Sequence, residues 1–304
     1  MKKSLTTLLI LLAILVITGI ILNKNKTSAI EVPEQIKTDE SIKQTEPVVS
    51  ILPKTIHPGD PILITINSTS SPKEIIFDDK SLPIFTYNNK FSAFIGIDFN
   101  EKIIEHEVLV KFSNGSITKQ KIILTPREKI ERPLGIPEKL GGNTPQAEKT
   151  LLANLAKENV ILNTVQTATA TLWTTAFTNP LATIFITDDY GYDRKTVNST
   201  IVHKGTDFRA PEGTPVFVMN DGVVRVAKNF IVYGNAVIID HGLGVQTLYM
   251  HLSKLNVKEG DKVKAGQTIG LSGKTGYAES PHLHISVKIG KISIDPMTFL
   301  AFFK

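Results

Sequence analysis

Hydrophobic and polar positions divide this chain into stretches of different period. Residues 5–22 are apolar except for Thr6, Thr7, Thr18 and Gly19, with Lys2 and Lys3 in front and Asn23-Lys24-Asn25-Lys26 behind. As a helix, a run of that length reaches across a bilayer core of about 30 Å. The nearest small-residue cleavage site, Thr27-Ser28-Ala29, lies beyond four polar residues. A transmembrane anchor at 1–24 is therefore expected in preference to a cleaved signal, and in either case the rest of the chain is expected outside the cytoplasm. Lysines flank both ends, so charge does not orient the segment. Residues 25–47 are rich in Glu, Lys, Thr and Pro, the composition of a solvated tether.

Across residues 48–126 the period falls to two. Ile62, Ile64 and Ile66 lie opposite Thr65 and Asn67, and Val108, Val110 and Phe112 lie opposite Glu107 and Lys111. Leu63 and Leu109 put apolar side chains on the second face. Pro58-Gly59-Asp60-Pro61 and Asp78-Asp79 mark turns, and Asn114-Gly115 predicts a two-residue hairpin. The pattern predicts a small antiparallel β-sandwich of immunoglobulin-like type. Residues 127–170 read as a connector, turn-rich from Pro133 to Pro145 and then helical. Thr144 serves as N-cap, Pro145 takes the first helical position, and Leu151, Leu152 and Leu155 form the apolar face. From Thr171 to the C-terminus the pattern is strand-like again, with strands expected around Val216 and Val218 and at 222–226, 236–239, 245–249 and 284–287. The expected architecture is mainly β, with a C-terminal antiparallel domain at 171–304.

Composition narrows the partners. A chain of 304 residues is long for one core and suggests about two domains. With 41% hydrophobic and 21% charged residues it is globular in character. It has no cysteine, which excludes disulfides, thiolate-ligated zinc and a lipidated cysteine. The net charge of +5 suits ordinary solubility or attraction to an anionic polymer or membrane surface. No basic run is interleaved with aromatics, so no nucleic acid is expected among the partners.

Candidate chemistry crowds the last third. His203, Asp207, His251, His282 and His284 fall in three short segments of a chain with seven histidines. Residues two or four apart on an extended strand share a face, so His203 with Asp207, and His282 with His284, can each turn toward one site. Two imidazoles and a carboxylate are a known ligand set for an open catalytic zinc, whose charge lowers the pKa of water to about 7. Two further histidines could shuttle protons or stabilise an oxyanion. A closed structural site would need four ligands and no spare bases. His57 and His106 have no partner at ligand spacing. His241 and Asp240 read as turn residues, Tyr249 as packing on the strand that carries His251, and Ser253 as an orienting residue.

These segments, His203-x-Gly205-x-Asp207, Tyr249-x-His251-Leu252-Ser253 and His282-x-His284, resemble the M23 family of zinc endopeptidases, the lysostaphin and LytM type. The intervening Ile239-Asp240-His241-Gly242, Lys258-x-Gly260-Asp261 and Ser272-Gly273-x-Thr275-Gly276 are similar as well, and the likeness covers about residues 189–300. The resemblance implies an antiparallel β domain with Zn2+ in a groove, ligated by His203, Asp207 and His284. His251 and His282 would be the non-ligand catalytic pair. It implies hydrolysis of peptide bonds in peptidoglycan cross-links or stems, at the outer face of the cytoplasmic membrane. Cell-wall or division proteins are possible partners. Some M23-like proteins are instead non-enzymatic activators of a cell-wall amidase that have lost ligands; all five positions are filled here. Tyr190, Tyr192 and Asn198 are candidates for the upstream groove residue that some members carry, and Tyr190-Gly191-x-x-Arg194 resembles the family's aromatic-Gly-x-x-Arg stretch. The sandwich or the Pro133–Pro145 connector is expected to cover part of the groove.

Overall fold

The computed structural model describes residues 47–304. The expected anchor at 1–24 and all of the tether but Pro47 lie outside the described residues. Among the described residues no helix is long and apolar enough to cross a membrane.

The first strands are β1 (Val48–Leu52), β2 (Pro61–Asn67), β3 (Pro72–Phe77), β4 (Lys80–Leu82), β5 (Phe85–Tyr87), β6 (Lys90–Gly96), β7 (Glu105–Phe112) and β8 (Ile117–Ile123). They form two four-stranded antiparallel sheets, ordered β1-β2-β6-β5 and β4-β3-β7-β8. Ile62, Ile64 and Ile66 share one core with Ile75, Val108, Val110 and Phe112, each 2% exposed or less. The apolar second face of β2 has a physical reason. Leu63, Phe85 and Phe94 enter a larger core with Trp173, Phe177 and Phe299. The Phe85 ring lies 5.3 Å from Trp173 and Phe94 lies 5.6 Å from Phe299. A sheet buried on both faces cannot keep a polar side, and each such ring contributes about 2–3 kcal/mol of burial. Leu109 has no such partner layer and stays half-buried. The Asn114-Gly115 turn is a three-residue loop. Phe112 N–H donates to Ser116 O at 2.9 Å, and Gly115 takes φ 87°. A left-handed glycine closing a three-residue hairpin explains the difference from the two-residue expectation.

Strand β9 (Glu131–Pro133) leads to helix α1 (Pro145–Thr164). Thr144 Oγ1 accepts from Ala147 N–H at 3.2 Å and Pro145 opens the helix, as its sequence predicts. Its buried face is Ala147, Glu148, Leu151, Glu158 and Leu162. Leu152, expected on that face, is 37% exposed. The two glutamates there are satisfied by backbone amides, joined at Glu148 by side-chain donors, a pattern that hydrophobic periodicity cannot register. Glu148 accepts from Asn198 N–H and from the Thr196 hydroxyl, and Glu158 from the amides of Ile231, Val232 and Tyr233.

Residues 165–185 contain no strand, contrary to the expectation from Thr171, yet Trp173, Phe177 and Leu181 in it are buried. The strands resume with β10 (Ile186–Asp188), β11 (Asp193–Lys195), β12 (Thr200–Val202), β13 (Thr206–Arg209), β14 (Pro215–Phe217), β15 (Gly222–Phe230), β16 (Gly234–Gly242) and β17 (Val245–Leu252). They continue with β18 (Lys254–Leu255), β19 (Lys262–Val263), β20 (Thr268–Leu271), β21 (His282–Ile289) and β22 (Ile292–Ile294). The chain then forms helix α2 (Pro296–Ala301), where strand was expected; Asp295 caps it by accepting from Met297 N–H at 2.8 Å. The main sheet runs β10-β13-β21-β17-β16-β15-β19, with β22 also on β21. One face packs Val237, Tyr249, Leu283 and Ile285 into the aromatic core. The opposite face packs Ile238, Leu248 and Met250 with Leu162 of α1. That second face carries the candidate site.

Candidate metal and catalytic centre

Strand pairing places the first two side chains. Asp207 of β13 stands directly opposite His284 of β21, which itself lies opposite Met250 of β17. Directly opposed residues share a sheet face, so His284 and Asp207 meet there. His282 and His284 sit two apart within β21, as the alternation requires. His203 reaches the same place differently from the expectation. It lies before β13, off any strand, and Asp207 alone of that pair is in the sheet. The chain can fold back so tightly because residue 205 is glycine. A Cβ there would come 2.4 Å from His284 Nε2 and 2.5 Å from Ile285 O.

Three donor atoms converge. His203 Nε2 lies 3.2 Å from Asp207 Oδ1 and 3.0 Å from His284 Nδ1, and His284 Nδ1 lies 2.7 Å from Asp207 Oδ1. The outer partners determine which ring nitrogens carry protons. His203 Nδ1 donates to Asp189 O at 2.8 Å, leaving Nε2 with its lone pair facing inward. Ser286 Oγ donates to Lys204 O at 2.7 Å and so accepts from His284 Nε2 at 2.9 Å, leaving the Nδ1 lone pair inward. Two lone pairs and a carboxylate facing one another repel unless a cation sits among them. The donor set therefore fits a metal ion, and His203, Asp207 and His284 can hold one. Arg194 donates to the second oxygen of Asp207 and, at 2.8 Å, to Asp188. Burial pushes the Asp207 carboxyl up, but His203 and His284 together hold it well below the usual range. Burial pushes His284 down to about 4 against the pull of Asp207.

His251 arrives by a bulge. Tyr249 pairs with Val237 and Leu252 with Asn235, so Met250 and His251 together oppose Ala236. His251 takes φ 62°, unusual for a residue with a Cβ, and its N–H donates to Tyr233 O at 3.0 Å. The extra residue turns His251 to the same side as His284. Its ring centroid lies 4.8 Å from His282 and 6.1 Å from His284. His251 Nδ1 donates to Thr275 O at 2.9 Å, and His282 Nδ1 to Ser280 O at 2.9 Å, so both rings keep Nε2 for the site. His282 Nε2 is 3.8 Å from Asp207 Oδ1. Burial, with His282 and His284 nearby, pushes His251 down to about 3.

Asp207, His251 and His282 line a groove of about 570 Å³ together with Pro133, Leu134 and residues 277–281. The Gly135 Cα carries no side chain where Glu279 comes closest, since a Cβ would meet Glu279 Oε1 at 1.8 Å. The connector at Gly135 thus packs closely against Glu279 within the groove lining.

The other candidates lie elsewhere. Tyr190 is buried against Gly59 and its hydroxyl donates to Ser293 O at 2.9 Å. Tyr192 donates to Asp189 Oδ2 at 2.9 Å, and Asn198 docks on Glu148. Tyr249 is fully buried and receives Met219 N–H at its hydroxyl, while Ser253 Oγ donates to Ser272 O at 2.8 Å. His241 bonds Asp221 O and Thr247 Oγ1, and burial pushes it down to about 4. Asp240 is no turn residue. It is buried in β16 and receives Arg225, Ala168 N–H and Gly242 N–H. His57 bonds Thr125 O, and His106 pairs with Asp78. Arg194 was visible only as part of a motif. Tyr277, which lines the groove, carried no signal in its neighbours' spacing.

Residues 201–296 match the model of peptidase family M23. The peptidoglycan DD-endopeptidase ShyA of Vibrio cholerae is 55% identical over 82 residues, 27% of this chain and 19% of that protein. The DD-carboxypeptidase/endopeptidase Mpg of Neisseria meningitidis is 40% identical over 120 residues, 39% of this chain and 28% of that protein. The matched stretch therefore spans less than a third of either relative. A solved peptidase M23 structure from Pseudomonas aeruginosa superposes with a TM-score of 0.60 at 22% identity, covering 82% of this chain and 96% of that one. At that identity it shows the shared fold.

Proposed function

Because the chain belongs to peptidase family M23 through its residues 201–296, we propose that it is a zinc endopeptidase cutting peptide bonds of peptidoglycan cross-links or stems outside the cytoplasm. The observation that carries this reading is the convergence of His203 Nε2, Asp207 Oδ1 and His284 Nδ1 within 3.2 Å of one another, beside a groove that Asp207, His251 and His282 line. These three would hold the ion. When bound, zinc supplies Lewis acidity at a scissile carbonyl and toward water. The remaining steps fall to the chain. His251, buried and neutral with Nε2 free, accepts the proton of the attacking water. His282, whose side chain is 18% exposed, is placed to pass a proton to the leaving amine or to stabilise the oxyanion. Arg194 and Asp189 orient Asp207 and His203. The names of the two curated relatives support peptidoglycan as substrate. The apolar run at 5–22 supports membrane attachment through residues 1–24. Two four-stranded sheets around one core support reading 48–126 as an immunoglobulin-like sandwich.

The test is zinc stoichiometry of the full-length chain, followed by release of new amines from purified cell wall. One zinc per chain and chelator-sensitive amine release are expected. His251→Ala should retain zinc and lose activity by about 10²–10⁴-fold, the worth of a positioned general base. One bound zinc with no amine release from any wall preparation would overturn the enzymatic reading in favour of a regulator of another hydrolase.

A further inference from the structure

A second cavity, of about 480 Å³, lies between α1 and the sheet face that carries His284. It meets the catalytic groove at Leu134, Gly135, Arg194, His251 and Tyr277, which line both, and His203 and His284 also line it, so it opens directly onto the proposed metal ligands. Leu151, Leu155 and Leu162 of α1 and Leu248 and Met250 of β17 make its walls largely apolar. Lys288 of β21 stands in it, 5% exposed. Its Nζ donates to the neutral Asn163 Oδ1 at 2.6 Å, and it forms no ion pair among the described residues. Lys204 and Lys291 add positive charge to the lining, against one acidic residue, Asp98. A buried ammonium without a counter-charge is costly, and burial with Lys204 nearby pushes Lys288 down to about 8. An incoming carboxylate would relieve that cost.

Register gives the position relative to the reacting centre. His284, Ser286 and Lys288 alternate along β21 and share its face. At about 3.3 Å per residue, Lys288 lies about 13 Å from His284 along the strand. An extended peptide advances by the same rise, so about four residues separate a group on Lys288 from one at the metal ligands. We propose that this cavity is a carboxylate-binding subsite, in which Lys288 takes a free carboxylate of a substrate peptide limb whose apolar part lies against Leu155 and Met250. The peptide identity of the limb rests on the proposed function; the carboxylate chemistry does not.

Calorimetry on the full-length chain with hexanoate and hexanamide isolates the charge, since neither contains a peptide bond. Hexanoate is expected to bind at least tenfold tighter, and Lys288→Met, with its circular dichroism unchanged, should reduce that ratio to about one. Equal binding of acid and amide to the unaltered chain overturns the subsite, and this comparison stands even if the variant does not fold. A second arm compares kcat/KM for wall peptides with free and amidated carboxylates. A preference of at least tenfold for the free acid, lost in Lys288→Met, supports the peptide limb. Equal rates alongside tight hexanoate binding overturn it in favour of a fatty-acid ligand. Hexanoate discrimination without cleavage of any wall peptide supports the carboxylate subsite while refuting the proposed function.

Discussion

Glu158→Ala should loosen His251, the proposed general base, from a distance. Glu158 sits on the buried face of α1, 6% exposed, and accepts from three successive amides. The amide of Val232 is fully enclosed, with two carboxylate contacts at 3.1 Å. Those of Ile231 and Tyr233 are partly reachable by water. Stranding one buried donor costs about 1–3 kcal/mol, and losing two charge-assisted bonds that water partly replaces adds about 1–2 kcal/mol. The sum is about 3 kcal/mol, a sizeable part of a typical 5–15 kcal/mol. At about 2–4 °C per kcal/mol the melting point should fall by about 6–12 °C. The consequence reaches the site because Tyr233 O accepts the His251 N–H and Val232 O accepts the Tyr277 N–H. Freeing this loop releases the carbonyl that holds His251 at φ 62°. Wall digestion should therefore drop about tenfold while zinc stoichiometry stays at one. Urea unfolding, with exposed Lys157→Ala as reference, and amine-release kinetics measure both. A Glu158→Ala chain within about 0.5 kcal/mol of Lys157→Ala would refute the view that this carboxylate anchors the loop.

Arg194→Met leaves Asp207 without its cationic partner and should weaken zinc binding about 10–100-fold, read by competition with a chromogenic chelator. His241 is fully buried and neutral in the fold, its pKa pushed down to about 4 by burial, whereas the unfolded chain takes up that proton near pH 6.5. Stability is thus fully present above pH 6.5 and is lost as pH falls through about 4, by about 3 kcal/mol at 1.36 kcal/mol per pH unit. Urea midpoints of the native chain and of His241→Phe at pH 7 and pH 4.5 should diverge in slope, the variant losing less. Residues 171–304 expressed alone should bind a hydrophobic dye and melt broadly, because removing Leu63, Phe85 and Phe94 uncovers Trp173 and Phe299. A sharp, dye-free transition for that fragment would show that the shared core is dispensable.

The sequence was most legible where one local rule acts alone. Thr144-Pro145 start the helix where capping chemistry says they must, and Ile62, Ile64 and Ile66 fill the core that their period of two demands. Asp207, His282 and His284 were legible as a group because the β13 and β21 side chains alternate in an ordinary register. Failures came where a second element overrode the local pattern. Leu63 broke the alternation of β2, and the aromatic layer of Trp173 and Phe299 that covers its face explains why. Glu148 and Glu158 sit on the buried face of α1, which hydrophobic period does not mark, because they accept from backbone amides about 50 and 75 positions away. His203 was placed on a strand, but Gly205 allows a tight approach to His284 that spacing alone does not distinguish from extension.

His251 shows why the catalytic arrangement demands departures from regular sheet. On an unbulged β17 strict alternation would send residue 251 into the core occupied by Tyr249, away from His284. One extra residue at Met250–His251 reverses that direction, and the left-handed backbone at His251 then needs outside support. The direct support comes from two carbonyls on segments outside β17. Tyr233 O receives the backbone N–H, Thr275 O receives Nδ1, and Thr275 Oγ1 is itself held to Asn235 N–H and Leu252 O. Tyr233 in turn is secured by Glu158 of α1. Helix α1 is therefore coupled to the orientation of His251, the proposed base, so a ligand that fills the cavity beneath α1 would act on the same chain of contacts.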